Sequence, residues 1–245
     1  MKNKVDVILV SDIHLGASHC HAKELQNMLE SYVFKKLILV GDVFQHGNFD
    51  RLHKIDRLDK TQWNVLSMLR KLTDPEMDVE VIWIEGNHDW KVLNIIGAML
   101  GIPIFDEYVW QSNGKKFLAI HGHQFDLLLP KNELINKAGQ NINLFMQKHF
   151  HKKFTRLISK IGKKFSRSIE FVRNGAISYA NDKHCDYVFC GHTHFPESIT
   201  KVMNDKKITY LNCGTWADGA KLSYITITND EVYLHDYPYL KIARG

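Results

Sequence analysis

Several features that would mark other protein classes are scarce in this sequence. It has four cysteines, Cys20, Cys185, Cys190 and Cys213, with no C-x-x-C spacing, and two of them lie in apolar strand-like runs. That argues against a disulfide framework and leaves buried, reduced thiols with no chemical role. Prolines number five in 245 residues, and no Pro/Gly/Ser-rich stretch or break in composition marks a linker. One domain over residues 1–245 carrying an insertion is therefore expected. No apolar run approaches the length needed to span a bilayer. Residues 5–10 are too short for a signal-peptide core and run straight into Ser11-Asp12, so a soluble, cytoplasmic protein is the expectation.

What the sequence does have is a series of short apolar runs that end in polar clusters. Residues 37–40 lead into Gly41-Asp42. Alone, Gly-Asp after an apolar strand is an ordinary βα turn, but four other runs end comparably. Residues 5–10 run into Asp12-Ile13-His14, and a D-x-H spacing in extended backbone puts both side chains on one side of the pleat. A helix over about 23–34 then returns to the Asp42 strand as a βαβ unit. A polar loop over 45–57 precedes a helix over 60–72, whose Trp63, Leu66, Leu69 and Leu72 cover the sheet. Residues 80–85 end in Gly86-Asn87-His88-Asp89-Trp90. Asn87 offers a neutral carbonyl ligand there, and Asp89 is placed to orient the His88 imidazole. Residues 116–120 end in His121-Gly122-His123, and residues 187–190 in Gly191-His192-Thr193-His194. In α/β sheets, binding residues gather at the carboxyl ends of strands. Strands over 207–212, 222–228 and 231–236, the last two joined by an Asn229-Asp230 turn, are expected to complete a second sheet.

Two aspartates, one asparagine and four histidines make two mixed nitrogen/oxygen sites. Such a shell suits Mn²⁺, Fe²⁺ or Zn²⁺ better than Mg²⁺ or Ca²⁺, which prefer all-oxygen shells. Two divalent metal ions about 3.5–4 Å apart clamp a phosphate and activate water, so phosphoester hydrolysis is the natural use.

The ordered set Asp12-x-His14, Gly41-Asp42, Gly86-Asn87-His88-Asp89, His121-Gly122-His123 and Gly191-His192-x-His194 resembles the calcineurin-like metallophosphoesterases. The resemblance implies an α/β fold, a four-layer sandwich of two mixed β-sheets flanked by helices. It implies one metal held by Asp12, His14, Asp42 and His194 and a second by Asp42, Asn87, His121 and His192, with Asp42 bridging and Mn²⁺ the expected ion. His123 competes with His121 for the fourth motif's ligand. His88 would stabilise charge on the phosphoryl oxygens or protonate the leaving group, with Asp89 behind it.

Between His121 and His192 lies a long insertion, read as a helical cap over 125–180. Residues 131–173 carry eleven Lys/Arg against Glu133 and Glu170, a formal +9 in a chain of net +5, so the remainder is net −4. Phe150, Phe154, Leu157, Ile158, Ile161 and Phe165 recur at helical spacing, with Lys152, Lys153, Arg156, Lys160, Lys163, Lys164 and Arg167 on the other faces. A surface helix with snorkelling lysines explains this pattern. So does a basic amphipathic helix over 145–167 that meets an anionic membrane, or a nucleic-acid backbone. The insertion and the late Leu211-Asn212-Cys213-Gly214-Thr215-Trp216 resemble the UDP-2,3-diacylglucosamine pyrophosphatase branch, which implies a nucleotide-linked lipid substrate and a peripheral membrane location. Many members of that branch carry Arg where this chain has His88, and an acidic residue at the positions of His123 and Thr215. A nuclease or nucleotide phosphodiesterase, and a non-catalytic scaffold of the same fold, are the alternatives. Trp90 and Trp216 are read first as core residues, and otherwise as stacking partners for a base or an acyl chain.

Overall fold

A computed structural model describes residues 2–45, 58–89, 93–127, 155–217 and 221–238. In chain order the strands are Asn3–Lys4 (β1), Val7–Val10 (β2), Tyr32–Val33 (β3), Lys36–Val40 (β4), Glu80–Ile84 (β5), Ile104–Phe105 (β6) and Glu107–Ser112 (β7). They continue with Lys115–Ile120 (β8), Tyr187–Cys190 (β9), Glu197–Met203 (β10), Lys206–Asn212 (β11), Ser223–Thr228 (β12) and Glu231–Asp236 (β13). The helices are Ala22–Glu30 (α1), Lys60–Leu72 (α2), Leu93–Leu100 (α3) and Thr155–Asp182 (α4).

The central strands are apolar on both faces because both faces are covered. Val7, Leu9, Ile38, Val40, Ile82 and Ile84 point into one core, where they meet Phe117, Ala119, Phe189 and Leu211. Their neighbours Ile8, Val10, Leu37, Leu39, Val81 and Trp83 point the other way, onto Leu25, Met28, Val65 and Leu69 of α1 and α2. On the second sheet Leu118, Ile120, Val188 and Cys190 are covered by Ala176, Ile177 and Ala180 of α4. The order helix, sheet, sheet, helix follows from this alternation. The six-stranded sheet runs β13-β12-β2-β4-β5-β6 and the five-stranded sheet β10-β11-β9-β8-β7. Both are mixed: β2, β4, β5 and β6 are parallel in the first, and β8, β9 and β11 in the second.

Three sequence expectations change. The first helix ends at Glu30, not near 34: the Ser31 hydroxyl donates to the Met28 carbonyl (2.6 Å), and Tyr32–Val33 leaves to pair with β1. Strands β12 and β13 complete the first sheet rather than the second. Ile225 lies opposite Leu9 and Ile227 opposite Val7 on antiparallel β2, so both isoleucines enter the inter-sheet core. The Asn229-Asp230 turn joins these strands, with φ of 50° and 62° as a tight hairpin needs. The C-terminal half of the expected cap is a layer of the sandwich, since Ile169, Val172, Ala176, Ile177 and Ala180 of α4 are buried. The rest of the cap call falls largely on 128–154 and on side chains before 165, which lie outside the described residues, as do Trp90 and most of the 45–57 loop. Trp216 is fully buried beside Tyr224 and Tyr237. Among the described residues no helix is long and apolar enough to cross a membrane.

Candidate dinuclear metal centre

Five parallel strands, β2, β4 and β5 of one sheet and β8 and β9 of the other, deliver polar residues to one edge of the sandwich. The loops after β2 and β4 are zipped together, with Asp12 N donating to the Gly41 carbonyl (3.0 Å) and His14 N to the Asp42 carbonyl (3.0 Å). The D-x-H spacing does not work through extended backbone as the pleat argument expects. Asp12 (φ 52°), His14 (54°), Asp42 (51°), His192 (67°) and His194 (56°) all take the left-handed conformation, which turns their side chains inward past the strand ends. Asp, Asn and His tolerate this region better than most residues, yet each such position still costs about 1 kcal/mol or more. Gly41 also serves the opposite sheet. A Cβ there would strike the His121 ring, so glycine makes room for a ligand from the opposite sheet.

Two groups result. Asp12, His14 and His194 form one, and Asp42, His121 and His192 the other, each with one ligand atom per residue within 4.8 Å of the rest. Around the first, His14 Nε2 and His194 Nε2 lie 3.1 Å apart, and His194 Nε2 is 3.1 Å from Asp12 Oδ1. Around the second, His121 Nε2 is 3.3 Å from Asp42 Oδ2 and 3.2 Å from Asn87 Oδ1, and His192 Nδ1 is 3.0 Å from Asn87 Oδ1. Ligand atoms sharing one ion at about 2.0–2.2 Å sit about 3 to 3.5 Å from one another. These separations are the edges of two coordination shells. Asp12 Oδ1 is buried with no hydrogen-bond donor aligned on it, as a group awaiting a cation would be. The residues present fit two divalent ions.

The electrostatics agree. Burial alone would raise the Asp12 carboxyl, but His194 and His14 beside it hold it well below the usual carboxylate range. The same holds for Asp42, depressed against burial by His121 and His88. Burial disfavours the His121 imidazolium, yet Asp42 and Asp12 outweigh it and lift His121 to about 9. The pocket therefore attracts positive charge, whether a proton or a metal ion.

His121, not His123, aims into the second group. Its Nδ1 lies 2.8 Å from the Val40 carbonyl, so Nδ1–H donates there and Nε2 is the nitrogen that would face an ion once its own proton is displaced. His123 stands beside it, ring centroids 5.4 Å apart, and burial pushes it down to about 4. Asp42 Oδ1 accepts from His88 N (2.7 Å), and His88 Nε2 is 3.9 Å from Asp42 Oδ2. Asp89 does something other than orient the His88 ring. Its Oδ1 accepts from Phe44 N (2.9 Å), and its Oδ2 from Trp83 Nε1 (3.2 Å) and Gly86 N (3.2 Å). It thereby fixes the loop that presents Asn87 and His88.

Other supporting contacts were not legible in the sequence. Gln62 of α2 accepts from Gly16 N (3.2 Å) and donates to the Ala17 carbonyl (3.0 Å), holding the loop after His14. The Asp12 carbonyl accepts from Thr215 Oγ1 (2.9 Å) and Trp216 N (3.0 Å). Asn212 Nδ2 donates to the Gly191 carbonyl (2.6 Å) beneath His192. Asp126 meets His192 Nε2 at 3.2 Å. Only the sequence proximity of Asp126 to the fourth motif hinted at a role for it.

Because His121 carries a proton below about pH 9, an incoming ion must displace it. Mn²⁺ binding followed by calorimetry is expected to weaken at least roughly tenfold per unit as the pH falls from 8 to 6.5, with proton release. Affinity unchanged over that range would count against a His121-containing site.

Comparison with known proteins bears on the family. A family profile described as Calcineurin-like phosphoesterase matches residues 5–196. A protein named UDP-2,3-diacylglucosamine hydrolase, from Aliivibrio fischeri, is 24% identical over 247 residues, covering 93% of this chain and 96% of that one. Among solved structures, Vacuolar Protein Sorting 29 from Cryptosporidium parvum aligns over 97% of this chain and 93% of its own, at 18% identity and a TM-score of 0.52. The E. coli phosphoesterase Yfce aligns over 95% and 99%, at 18% identity and a TM-score of 0.47. Sequence match and paired metal groups together place the chain among the calcineurin-like phosphoesterases, as a metal-dependent hydrolase with a dinuclear divalent-metal site.

Proposed function

We propose that the protein hydrolyses the diphosphate, or a phosphodiester, of a nucleotide-linked lipid such as UDP-2,3-diacylglucosamine, with Mn²⁺ as the working ion. The observation that carries this reading is a groove of about 740 Å³ beside His194, lined by Phe165, Phe195, Pro196 and Leu234, with Lys221 and Asp236 also on its wall. Phe165 and Phe195 are nearly half exposed, at 49% and 46%. Apolar walls next to a phosphate-binding centre suit a substrate that joins a phosphoryl group to a greasy tail. The near full-length match to the Aliivibrio fischeri protein supports the same substrate class.

The paired ions would supply Lewis-acid stabilisation of the phosphoryl oxygens and an activated water. Asp12, His14 and His194 would hold one ion, and Asp42, Asn87, His121 and His192 the other, with Asp42 shared. His88 lies against this pair, its ring edge-on to His14 with centroids 5.2 Å apart. Burial pushes His88 down to about 4 against the pull of Asp42. Its ring is then neutral at pH 7 and serves as a hydrogen-bond donor to a phosphoryl oxygen rather than as a proton donor. The basic stretch 145–167 supplies the contact with an anionic membrane surface.

In Mn²⁺, UMP release from UDP-diacylglucosamine in detergent should far exceed turnover of bis-p-nitrophenyl phosphate or linear DNA. The double change Phe165→Ala with Phe195→Ala should raise KM for the lipid substrate about tenfold and leave the generic diester untouched. Activity on DNA alone would replace the lipid reading with a nuclease. Asp42→Ala should abolish hydrolysis of every substrate, whereas His88→Ala should keep both ions and lower kcat by about 10²–10³; hydrolysis surviving in Asp42→Ala would mean the centre is misassigned. Replacing Lys152, Lys153, Arg156 and Lys160 together should weaken partitioning onto phosphatidylglycerol vesicles, and undiminished partitioning would remove the membrane contact.

A further inference from the structure

The two histidines of the Asp42 group present opposite ring nitrogens. His121 directs Nε2 inward because its Nδ1–H is taken by the Val40 carbonyl. His192 directs Nδ1 inward, 3.0 Å from Asn87 Oδ1, and turns Nε2 outward to Asp126 Oδ2 at 3.2 Å. A neutral imidazole has one N–H. If Nδ1 is to offer a lone pair to an ion, the proton must sit on Nε2, and a partner there has to be an acceptor. Asp126 is such a partner, and it is nearly buried, with 6% of its side chain exposed.

Asp126 is itself held from α4. The Ser168 hydroxyl donates to the same Oδ2 that faces His192. The short turn His123–Phe125, which leads directly into Asp126, presses on α4 at Gly175. A Cβ at Gly175 would lie 2.7 Å from Phe125 Cβ, so only glycine lets the turn seat this deeply. The helix in turn is pinned to β10 by Arg173, whose guanidinium forks onto Glu197 at 3.0 and 2.7 Å. The chain of contacts runs from β10 through α4 and Asp126 to His192.

We propose that Asp126 is a positioning residue for the second metal: it fixes the Nε2–H tautomer of His192 so that Nδ1 faces the ion, with Ser168 of α4 holding the carboxylate in place. The His121 ring is fixed by a backbone carbonyl that no side-chain replacement removes. His192 depends on a side chain, so the second site can be weakened selectively. The inference rests on the dinuclear centre and not on the identity of the substrate.

The test is Mn²⁺ titration of the full chain by calorimetry, with electron paramagnetic resonance to separate a spin-coupled pair from a lone ion. The wild-type protein should take up two ions and show the coupled signal; fewer than two would overturn the centre itself and this inference with it. Asp126→Ala is expected to lose one ion's affinity by about 10- to 100-fold while the other is retained, and its spectrum at one equivalent per site should become that of an isolated Mn²⁺. Asp126→Asn keeps an acceptor for Nε2–H without the charge, and should restore most of that loss; if the alanine variant does not fold, a selective several-fold weakening in Asp126→Asn decides for the proposal. Ser168→Ala should give a smaller effect at the same site. Two ions bound with wild-type affinity in Asp126→Ala, or in Asp126→Asn should it be the folded variant, would overturn the assignment. Equal weakening of both sites with a lowered Tm would also overturn it, since that is the signature of a general packing role.

Discussion

Asp12 and Asp42 are carboxylates with 0% and 2% exposure, and the rest of the metal edge is built to make that tolerable. Isolated anions this deep are unstable by several kcal/mol each. Here each is surrounded by imidazoles, backbone amides and its zipped neighbour strand, and each is kept ionised against its burial. The arrangement is stable in proportion to the positive charge it can recruit. A dinuclear divalent site is the chemical answer to two buried carboxylates about which four histidines and an asparagine converge.

Bringing those ligands together has a conformational cost that the scaffold absorbs. Five of the converging residues sit in left-handed backbone, a state that persists only where the surroundings determine it. The surroundings here are specific. The β2 and β4 loops share backbone hydrogen bonds, Asp89 ties the Asn87 loop to Phe44, Trp83 and Gly86, and Asn212 and Thr215 hold the carbonyls beneath His192 and behind Asp12. The late Leu211 to Trp216 stretch thus serves the site through backbone, hydroxyl and side-chain amide contacts. Trp216 is fully buried in the core it shares with Leu25 and Met28 of α1.

Charge is divided between two regions of the chain. The sandwich holds the acidic metal edge, while residues 131–173 hold +9. Helix α4 belongs to both regions: its N-terminal part carries the basic sequence, and its buried half forms the fourth layer and supports Asp126. It also contributes Phe165 to the groove beside His194. One element therefore lines the groove beside His194 and holds the carboxylate that meets His192.

The sequence by itself determined the layer pattern and the chemistry of the edge. Strands such as Val-Ile-Leu-Val are apolar at every position only when both faces are buried, and five of them ending in Asp, Asn or His leaves little for that edge to do except bind cations. Those signals are local, carried by a few consecutive residues. What only the tertiary structure decided involves partners far apart in the chain. His121 rather than His123 enters the second group because Val40, on the facing sheet, accepts its Nδ1–H and Gly41 leaves it room. Asp89 anchors a loop because Phe44 and Trp83 happen to converge on it, although adjacency suggested His88. Strands β12 and β13 joined the first sheet because β2 offered an open edge and room in the inter-sheet core for Ile225 and Ile227. Asp126 and Ser168 meet across 42 residues of chain, a pairing that no periodicity encodes, since a hydrogen bond is set by where two backbones finally lie and not by the spacing of their residues.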